Sequence, residues 1–424
     1  MNRKQLILVF ITLFLVPQTL FASYQVEVTP SLTLSELYDD NIYLDNLNKQ
    51  DDWITSISPG LNLDISSQKN NFILNYSPSI VRYKERDDND TVRHALTMSL
   101  DSAISQHLEL NISDTFLRSE EPIEETQGII GIRATRNTYI RNNGDASIRY
   151  TFGSSNSFLI GSGYSYLDNE DLTIDDGTII DPYASYSYWF NMNHGLELSG
   201  GYTNAEFSRD DDSQPGNDYT GSMQGIGYRY RANPRSTLLI DFSLTSRDFD
   251  SSTTDYEVDY GVYEGTIGCE KNISEDFSYS VSAGYFTRQD DTEDDDNGFN
   301  FDISLTKNFE RGSFSLNGRS GWGEAYLESE RRGFTKNQSI TSSYNYQVTE
   351  NISNNASISY RQDKDEAARK SKSIEARYGW SLSLFRYYLV SLDYTCAVRD
   401  DDLDSDDYLV NRVMFSLRWS RPYR

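Results

Sequence analysis

In the stretch Arg412-Val413-Met414-Phe415-Ser416-Leu417-Arg418-Trp419, apolar and polar positions take strict turns. Val413, Phe415, Leu417 and Trp419 fall on one face, and Arg412, Met414, Ser416 and Arg418 on the other. A period of two marks a β-strand whose two faces meet different surroundings. Just upstream, Tyr388, Val390, Leu392 and Tyr394 alternate with Leu389, Ser391, Asp393 and Thr395. Leu238, Ile240, Phe242 and Leu244 do the same, and Phe158, Ile160, Tyr164 and Tyr166 oppose Gly161, Gly163 and Ser165. No stretch reads as a helix. Asp363 to Lys370 is the one polar run rich in helix formers, and it is short.

The connections fall into two kinds. Short turns are expected at Ser67 to Asn70, Ser105-Gln106, Gly153 to Asn156, Asn191 to His194, Ala232 to Arg235, Asn272 to Glu275, Glu310-Arg311, Glu350 to Ser353 and Arg386. Long polar loops lie between them, at 38–51, 84–90, 119–136, 168–177, 209–218, 248–257, 289–297, 327–334, 363–370 and 400–407. This predicts an all-β, closed, up-and-down antiparallel transmembrane barrel of about twenty strands, with 16–20 allowed, short periplasmic turns and long extracellular loops. The strands run about 10 to 15 residues, enough for a tilted crossing of a bilayer.

Charge follows the same division. The chain has 424 residues and a net charge of −27, from 38 Lys and Arg against 65 Asp and Glu. Of the 65 acidic residues, 42 lie in the ten long loops, beside only 11 basic ones. The acidity therefore belongs to one rim. Such a charge gives no means of neutralising phosphates, which excludes a nucleic-acid partner. The 31 Tyr and 20 Phe exclude an acidic disordered chain. Two Cys, Cys269 and Cys396, exclude a disulfide scaffold, and three His leave little for a His-based metal site.

The first residues give the compartment. Arg3 and Lys4 precede an apolar run from Leu6 to Val16, and Leu20-Phe21-Ala22 follows Pro17. This reads as a signal peptide over 1–22, cut after Ala22, with the barrel over 23–424. No plug domain is expected between them. A secreted β-sandwich would show the same alternation, inverted. Strand length, one-sided loops and Trp53, Trp189, Trp322, Trp380 and Trp419 as interface girdles favour the membrane barrel. Two places resist that reading. Asp114 falls on the apolar face of Leu108, Leu110, Ile112 and Phe116, and Asp259 to Ile267 is ambiguous in phase.

Near the start stand Glu36-Leu37-Tyr38-Asp39-Asp40-Asn41-Ile42-Tyr43-Leu44, Asp52-Trp53-Ile54, Ser58-Pro59-Gly60-Leu61, Tyr76 and Arg82-Tyr83. In these residues the chain resembles the β-barrel porin family of outer-membrane proteins associated with exopolysaccharide gene clusters. The resemblance implies an outer-membrane barrel and a link to polysaccharide export machinery, and it implies no catalytic residue. Read on their own, Asp39-Asp40-Asn41 are a polar loop start, and Pro59 predicts a bulge or edge-like irregularity.

Candidate chemistry is thin. Asp294, Asp295, Asp296, Asp400, Asp402 and Asp404 are weak candidates for Ca2+, but neither run has the Gly and final Glu of an EF-hand loop. The bland reading is a solvated acidic loop. No other cofactor is expected. No G-x-S-x-G is present, and His94, His107 and His194 have no partner pattern for a nucleophile, so no enzyme is expected. The lumen-facing positions are read as Arg149, Arg229, Arg231, Arg247, Arg319, Arg377, Arg412, Arg418, Asp241 and Asp393. The loop 119–136 is the expected constriction, because Ile123, Ile129, Ile130 and Ile132 would pack against a barrel wall rather than sit in water.

Two functions stay open at this point. One is a water-filled pore for porin-like diffusion or for polysaccharide or oligosaccharide. The other is a non-conducting structural or adhesive barrel whose acidic loops bind divalent cations or surface partners. Outer-membrane lipids and lipopolysaccharide are expected partners in either case. The residues carry no signal for monomer or trimer.

Overall fold

A computed structural model describes residues 24–121, 136–153, 155–170, 176–208, 218–250, 258–290, 296–324, 334–365, 368–403 and 406–424. The signal peptide expected over 1–22 lies outside them. Among the described residues regular structure is strand, apart from the 3-10 turn Asp87–Asn89. The first ten strands are β1 (Gln25–Asp39), β2 (Asp52–Ser66), β3 (Asn70–Tyr83), β4 (Thr91–Ala103), β5 (Leu108–Ser119), β6 (Tyr139–Phe152), β7 (Asn156–Asn169), β8 (Asp176–Trp189), β9 (His194–Ser208) and β10 (Tyr219–Asn233). The rest are β11 (Ser236–Phe249), β12 (Tyr260–Ser274), β13 (Phe277–Asp290), β14 (Asp296–Phe309), β15 (Gly312–Glu324), β16 (Phe334–Gln347), β17 (Ile352–Asp365), β18 (Lys370–Leu384), β19 (Tyr388–Asp401) and β20 (Tyr408–Ser420).

Each strand pairs antiparallel with its chain neighbours. β1 pairs with β20 as well as β2, so the sheet closes into a 20-stranded barrel. Closure removes the free edges that an open sheet would leave unpaired. All nine short turns join strands at one end and the other ten connections join them at the other; nine of these are longer, while 366–369 is a short link because β17 and β18 extend into the loop expected over 363–370.

Contacts between non-neighbouring strands tell inside from outside, since such side chains can meet only within the cylinder. Arg247 of β11 meets Glu324 of β15 at 2.9 Å, and Trp322 of β15 donates to Glu264 of β12 at 2.8 Å. The face opposite is apolar and open, with Leu32 40% exposed, Ile267 63%, and Ile160, Ile240, Phe242 and Phe415 between these values. A water-soluble sandwich would bury these residues. Here they form a belt, and the polar side lines the interior. At the turn end the belt finishes in stacked rings. Tyr150, Phe152, Tyr186, Tyr188 and Phe190 follow one another at centroid spacings of 6.2, 6.0, 6.2 and 5.2 Å.

Several local expectations need correction. Pro59 does produce an irregularity, but not a bulge. It faces Pro78 across β2 and β3, and the ladder lapses between Ile57–Ile80 and Leu61–Tyr76 with the same register on both sides. Two facing residues without N–H groups leave a gap in the bonds, not a shift. Trp53, Trp380 and Trp419 lie on the outer face, but Trp189 and Trp322 do not join the girdle. Trp189 shares the inner face with Glu197 and carries the Arg231 guanidinium 4.2 Å from its ring. Tyr260 and Val262 point inward, and Tyr263 and Ile267 outward. The phase looked ambiguous there because the loop end of the lumen is itself apolar.

Asp114 does lie on the outer face, with no register shift on either side of β5. It sits opposite Gly144 and accepts from Asn142 Nδ2 at 3.0 Å. A carboxylate in the belt is costly, though less so than a lysine or arginine. Asp114→Leu should therefore raise the unfolding free energy by about 1–2 kcal/mol in a urea titration of vesicle-inserted protein. An unchanged or lowered midpoint would show that Asp114 makes a stabilising contact.

Candidate functional site: the barrel lumen and its loop-end closure

The inner face changes character along the barrel. Over the turn-side half it is polar and half-exposed. Arg229 bridges Glu197 and Asp241, at 2.6 Å each. Arg377 pairs with Glu375 at 2.6 Å, and Asp393 accepts from Ser391 at 3.1 Å. Arg149 stands opposite Glu109, Arg319 opposite Asp302, and Arg418 opposite Leu389 and Thr33. Together with Arg231, Arg247 and Arg412, every position read as lumen-facing shares this inner face.

The loop-side half is filled. One part is an aromatic arc inside the wall: Phe207, Tyr219, Phe249, Tyr260, Phe334 and Trp322, at successive centroid spacings of 6.3, 5.5, 6.3, 6.0 and 5.8 Å. Phe286 joins it, its ring laid over Gly298, where a Cβ would come within 2.7 Å. Arg288 lies 4.6 Å from the Tyr260 ring and 5.1 Å from that of Phe334, a cation–π arrangement.

The other part is an ionic cluster. Arg136, its side chain 1% exposed, donates to the Ile42 carbonyl at 2.8 Å and to Tyr83 Oη at 2.6 Å. It also lies 3.5 Å from Glu121 and 3.9 Å from Asp39. Arg93 binds Glu120 through Nε, at 3.0 and 3.1 Å, and reaches Glu121 through Nη2 at 2.5 Å. Arg412 pairs with Asp39 at 2.8 Å and approaches Glu121 at 3.8 Å. Glu121 lies just beyond β5. Burial works against its charge, but the Arg93, Arg136 and Arg412 guanidiniums outweigh that and hold its pKa at about 2.

The β1–β2 loop completes the closure. Asp40 accepts from the Asn411 backbone and side chain, at 2.6 and 2.7 Å, and extends the β1–β20 seam. Asn41 binds Asp45 and the Leu409 carbonyl. Leu44, in the left-handed region at φ 55°, turns the loop inward and packs against Ala397, Tyr408 and Val410. Such a φ is unfavourable for leucine and is offset here by burial. Ile42 packs on Ile54, Val81 and Tyr83. Asp39-Asp40-Asn41 is the polar loop start expected, and its Asp39 and Asn41 are buried as framework for the mouth.

Ile123, Ile129, Ile130 and Ile132 lie outside the described residues, as do Asp294, Asp295 and Asp404. The flanks of their loop, Glu120, Glu121 and Arg136, do reach into the lumen. Asp296 engages Lys336, and Asp402 accepts from the Lys370 N–H at 2.8 Å. Asp400 alternates with the buried Asp401, so it points outward. Among the described residues no three His, Cys, Asp or Glu side chains are placed to hold a metal ion. His94 and His194 bind the hydroxyls of Tyr76 and Tyr228, at 2.9 and 2.5 Å, on the outer face.

A closed sheet of membrane-crossing strands, apolar outside and polar within, leaves one class of protein. The chain is an outer-membrane β-barrel. No protein-family model matches it, and no curated protein does. Solved structures of outer-membrane proteins are similar in fold. The siderophore receptor PirA from Pseudomonas aeruginosa aligns over 93% of this chain and 80% of its own, at 10% identity and a TM-score of 0.51. The copper transporter OprC aligns over 94% and 80%, at 9% identity and a TM-score of 0.55. OccK2 from Pseudomonas aeruginosa covers 93% of this chain and 98% of its own, at 11% identity and a TM-score of 0.43. At such identities the barrel fold is what is shared, and none of these likenesses bears on an exopolysaccharide association.

Proposed function

We propose that this barrel is a gated, water-filled pore for polar or sugar-like solutes, serving the passage of polysaccharide or oligosaccharide in exopolysaccharide export. The observation that carries the reading is the contrast between the two halves of the lumen. Twenty strands enclose more space than inward side chains fill. The turn-side half is lined by mixed Arg, Asp, Glu and Ser that stay half-exposed, as solutes with many hydroxyls require. Among the described residues the filling lies at the loop end, where loop residues and wall side chains build it. The acidic rim should favour cations at low salt, a bias that fades as salt screens it.

Planar-bilayer recording tests this. The purified protein is expected to pass current in brief openings and to be blocked in a concentration-dependent way by oligosaccharides added on the turn side. A specific observation favours the second reading, a non-conducting structural or adhesive barrel. The closure is dense, with Ile42, Tyr139, Phe286 and Phe334 fully buried. Silence in the bilayer, from both the native protein and a variant with the closure broken, would establish that reading. In either case lipopolysaccharide and divalent cations at the acidic loops are the proposed surface partners.

A further inference from the structure

The wall is incomplete between β14 and β15. Their ladder runs from Phe309–Gly312 up to Phe301–Ser320 and stops. β14 continues to Asp296 against β13, while β15 continues to Glu324 against β16. Beyond the break the β15–β16 hairpin turns into the barrel. Its outer-face side chains there meet inner-face side chains of the wall. Trp322 donates to Glu264, Glu324 binds Arg247 and accepts from Tyr260, and Phe334 packs on Phe286 and Tyr260. The released edge of β14 is bridged by side chains. Lys336 Nζ donates to the Asn297 carbonyl at 2.7 Å and to Asp296, and the Ser320 hydroxyl reaches the Phe299 carbonyl at 3.5 Å.

Directly below the break, the outer surface carries a groove of about 230 Å³. Phe301, Ile303, Leu316, Gly318, Ile340 and Tyr360 line it, with Gln338 and Ser339 of β16 as its polar members. All of these but Ser339 lie on the lipid-facing side. Gly318 makes the depth: a Cβ there would touch the Phe301 ring at 3.7 Å and Ile340 at 3.9 Å. Phe299, 79% exposed, stands at the lip with its ring 5.5 Å from that of Tyr285.

One strand face runs between the two, with Ser320, 7% exposed, buried at its middle. The outer face of β15 reads Leu316, Gly318, Ser320, Trp322. It begins as lipid-facing wall in the groove and ends inside the lumen against the aromatic arc. Small residues mark the middle of this ramp. Because the groove is continuous with the apolar belt, what solvates it is hydrocarbon.

We propose that the seam between β14 and β15 is a lateral portal. An acyl chain of a lipid in the loop-side leaflet lies in the groove and passes Gly318 to reach Trp322 when the Ser320–Phe299 and Lys336–Asn297 bridges part. This goes beyond the polar-solute pore, and its test does not depend on conductance.

The test uses full-length protein in which Trp53, Trp189, Trp380 and Trp419 are Phe, leaving Trp322, in vesicles of phosphatidylcholine with brominated chains. Bromine quenches indole fluorescence on contact. Trp322 is expected to be quenched at least half as deeply as Trp380 in a matching single-tryptophan protein. Trp189, inside the turn-side lumen, should stay bright. Gly318→Phe should fill the groove and return Trp322 to the Trp189 level while leaving Trp380 quenched. If the multiple substitution fails to fold, the difference in quenching between the native protein and Trp322→Phe gives the same quantity. Quenching of Trp322 no deeper than that of Trp189, or quenching unaffected by a folded Gly318→Phe protein, would overturn the portal.

Discussion

Arg136→Ala is expected to raise the open probability of the pore by about two orders of magnitude. One guanidinium ties three parts of the closure together: the Ile42 carbonyl of the first loop, the Tyr83 hydroxyl on the wall, and Glu121 beyond β5. Removing one partner of a buried ionic cluster costs about 3–5 kcal/mol, because the remaining charges stay buried without compensation. Here those would be Asp39, Glu120 and Glu121, with only Arg93 and Arg412 left to balance them. The strands do not depend on Arg136, so the cost falls on the closed arrangement of the loops and not on the barrel. About 3 kcal/mol shifts an equilibrium roughly a hundredfold. Arg136→Lys should recover little of it, since a single ammonium cannot serve acceptors lying in separate directions along a planar fork. Single-channel recording reads the change, and protease cleavage at Lys49 reads the loop. Unaltered openings together with unaltered cleavage would show that Arg136 does not hold the closure.

The barrel was legible because its signal is repeated in every strand. Alternation at Val413 to Trp419, or Leu238 to Leu244, needs no tertiary information once a strand faces lipid on one side and polar lumen on the other. The turns were legible for the same reason, since Asn, Asp, Gly and Ser interrupt each apolar run at one end. The lumen positions of Arg149, Arg229 and Asp241 follow from parity alone.

The closure was less legible because it breaks the pattern. Ile54, Val81 and Val262 are apolar residues on the polar face, and each could equally have marked an error of phase. They face inward because other apolar groups from distant loops meet them there. Arg136 gave no local sign of its partners, which come from β1, β3 and the start of its own loop. The inward turn of β15–β16 left one trace, Gly321-Trp322-Gly323, where a large ring between two glycines suits a strand leaving its wall. Asp114 could be seen to be odd, but its partner Asn142 lies on the next strand and is fixed only by register.

Acid should open the same closure. Glu121 titrates at about 2 in the closed state, against an ordinary value of 4.5. A depressed carboxylate pKa means that the closed state holds its proton less readily than the open one. Its stabilising contribution is therefore complete above pH 4.5 and is lost as the pH falls toward 2. By linkage, at pH 3 the shift favours opening by about 2 kcal/mol, or roughly thirtyfold, relative to neutral pH. Protonating Glu121 removes the acceptor that Arg93 and Arg136 share and the second countercharge of Arg412, after Asp39. The three guanidiniums then lose the one carboxylate that all of them approach, and their mutual repulsion favours separation of the loops. Openings should increase steeply from pH 4.5 to pH 3 and reverse on return to neutrality, with the strand signal in circular dichroism unchanged. Glu121→Gln should already be more open at pH 7 and should lose most of the pH dependence, since the amide has no proton to gain. A pH response that survives intact in that variant would assign the titration to another group. A response of opposite sign would mean that the open state, not the closed one, holds the carboxylate in its charged form.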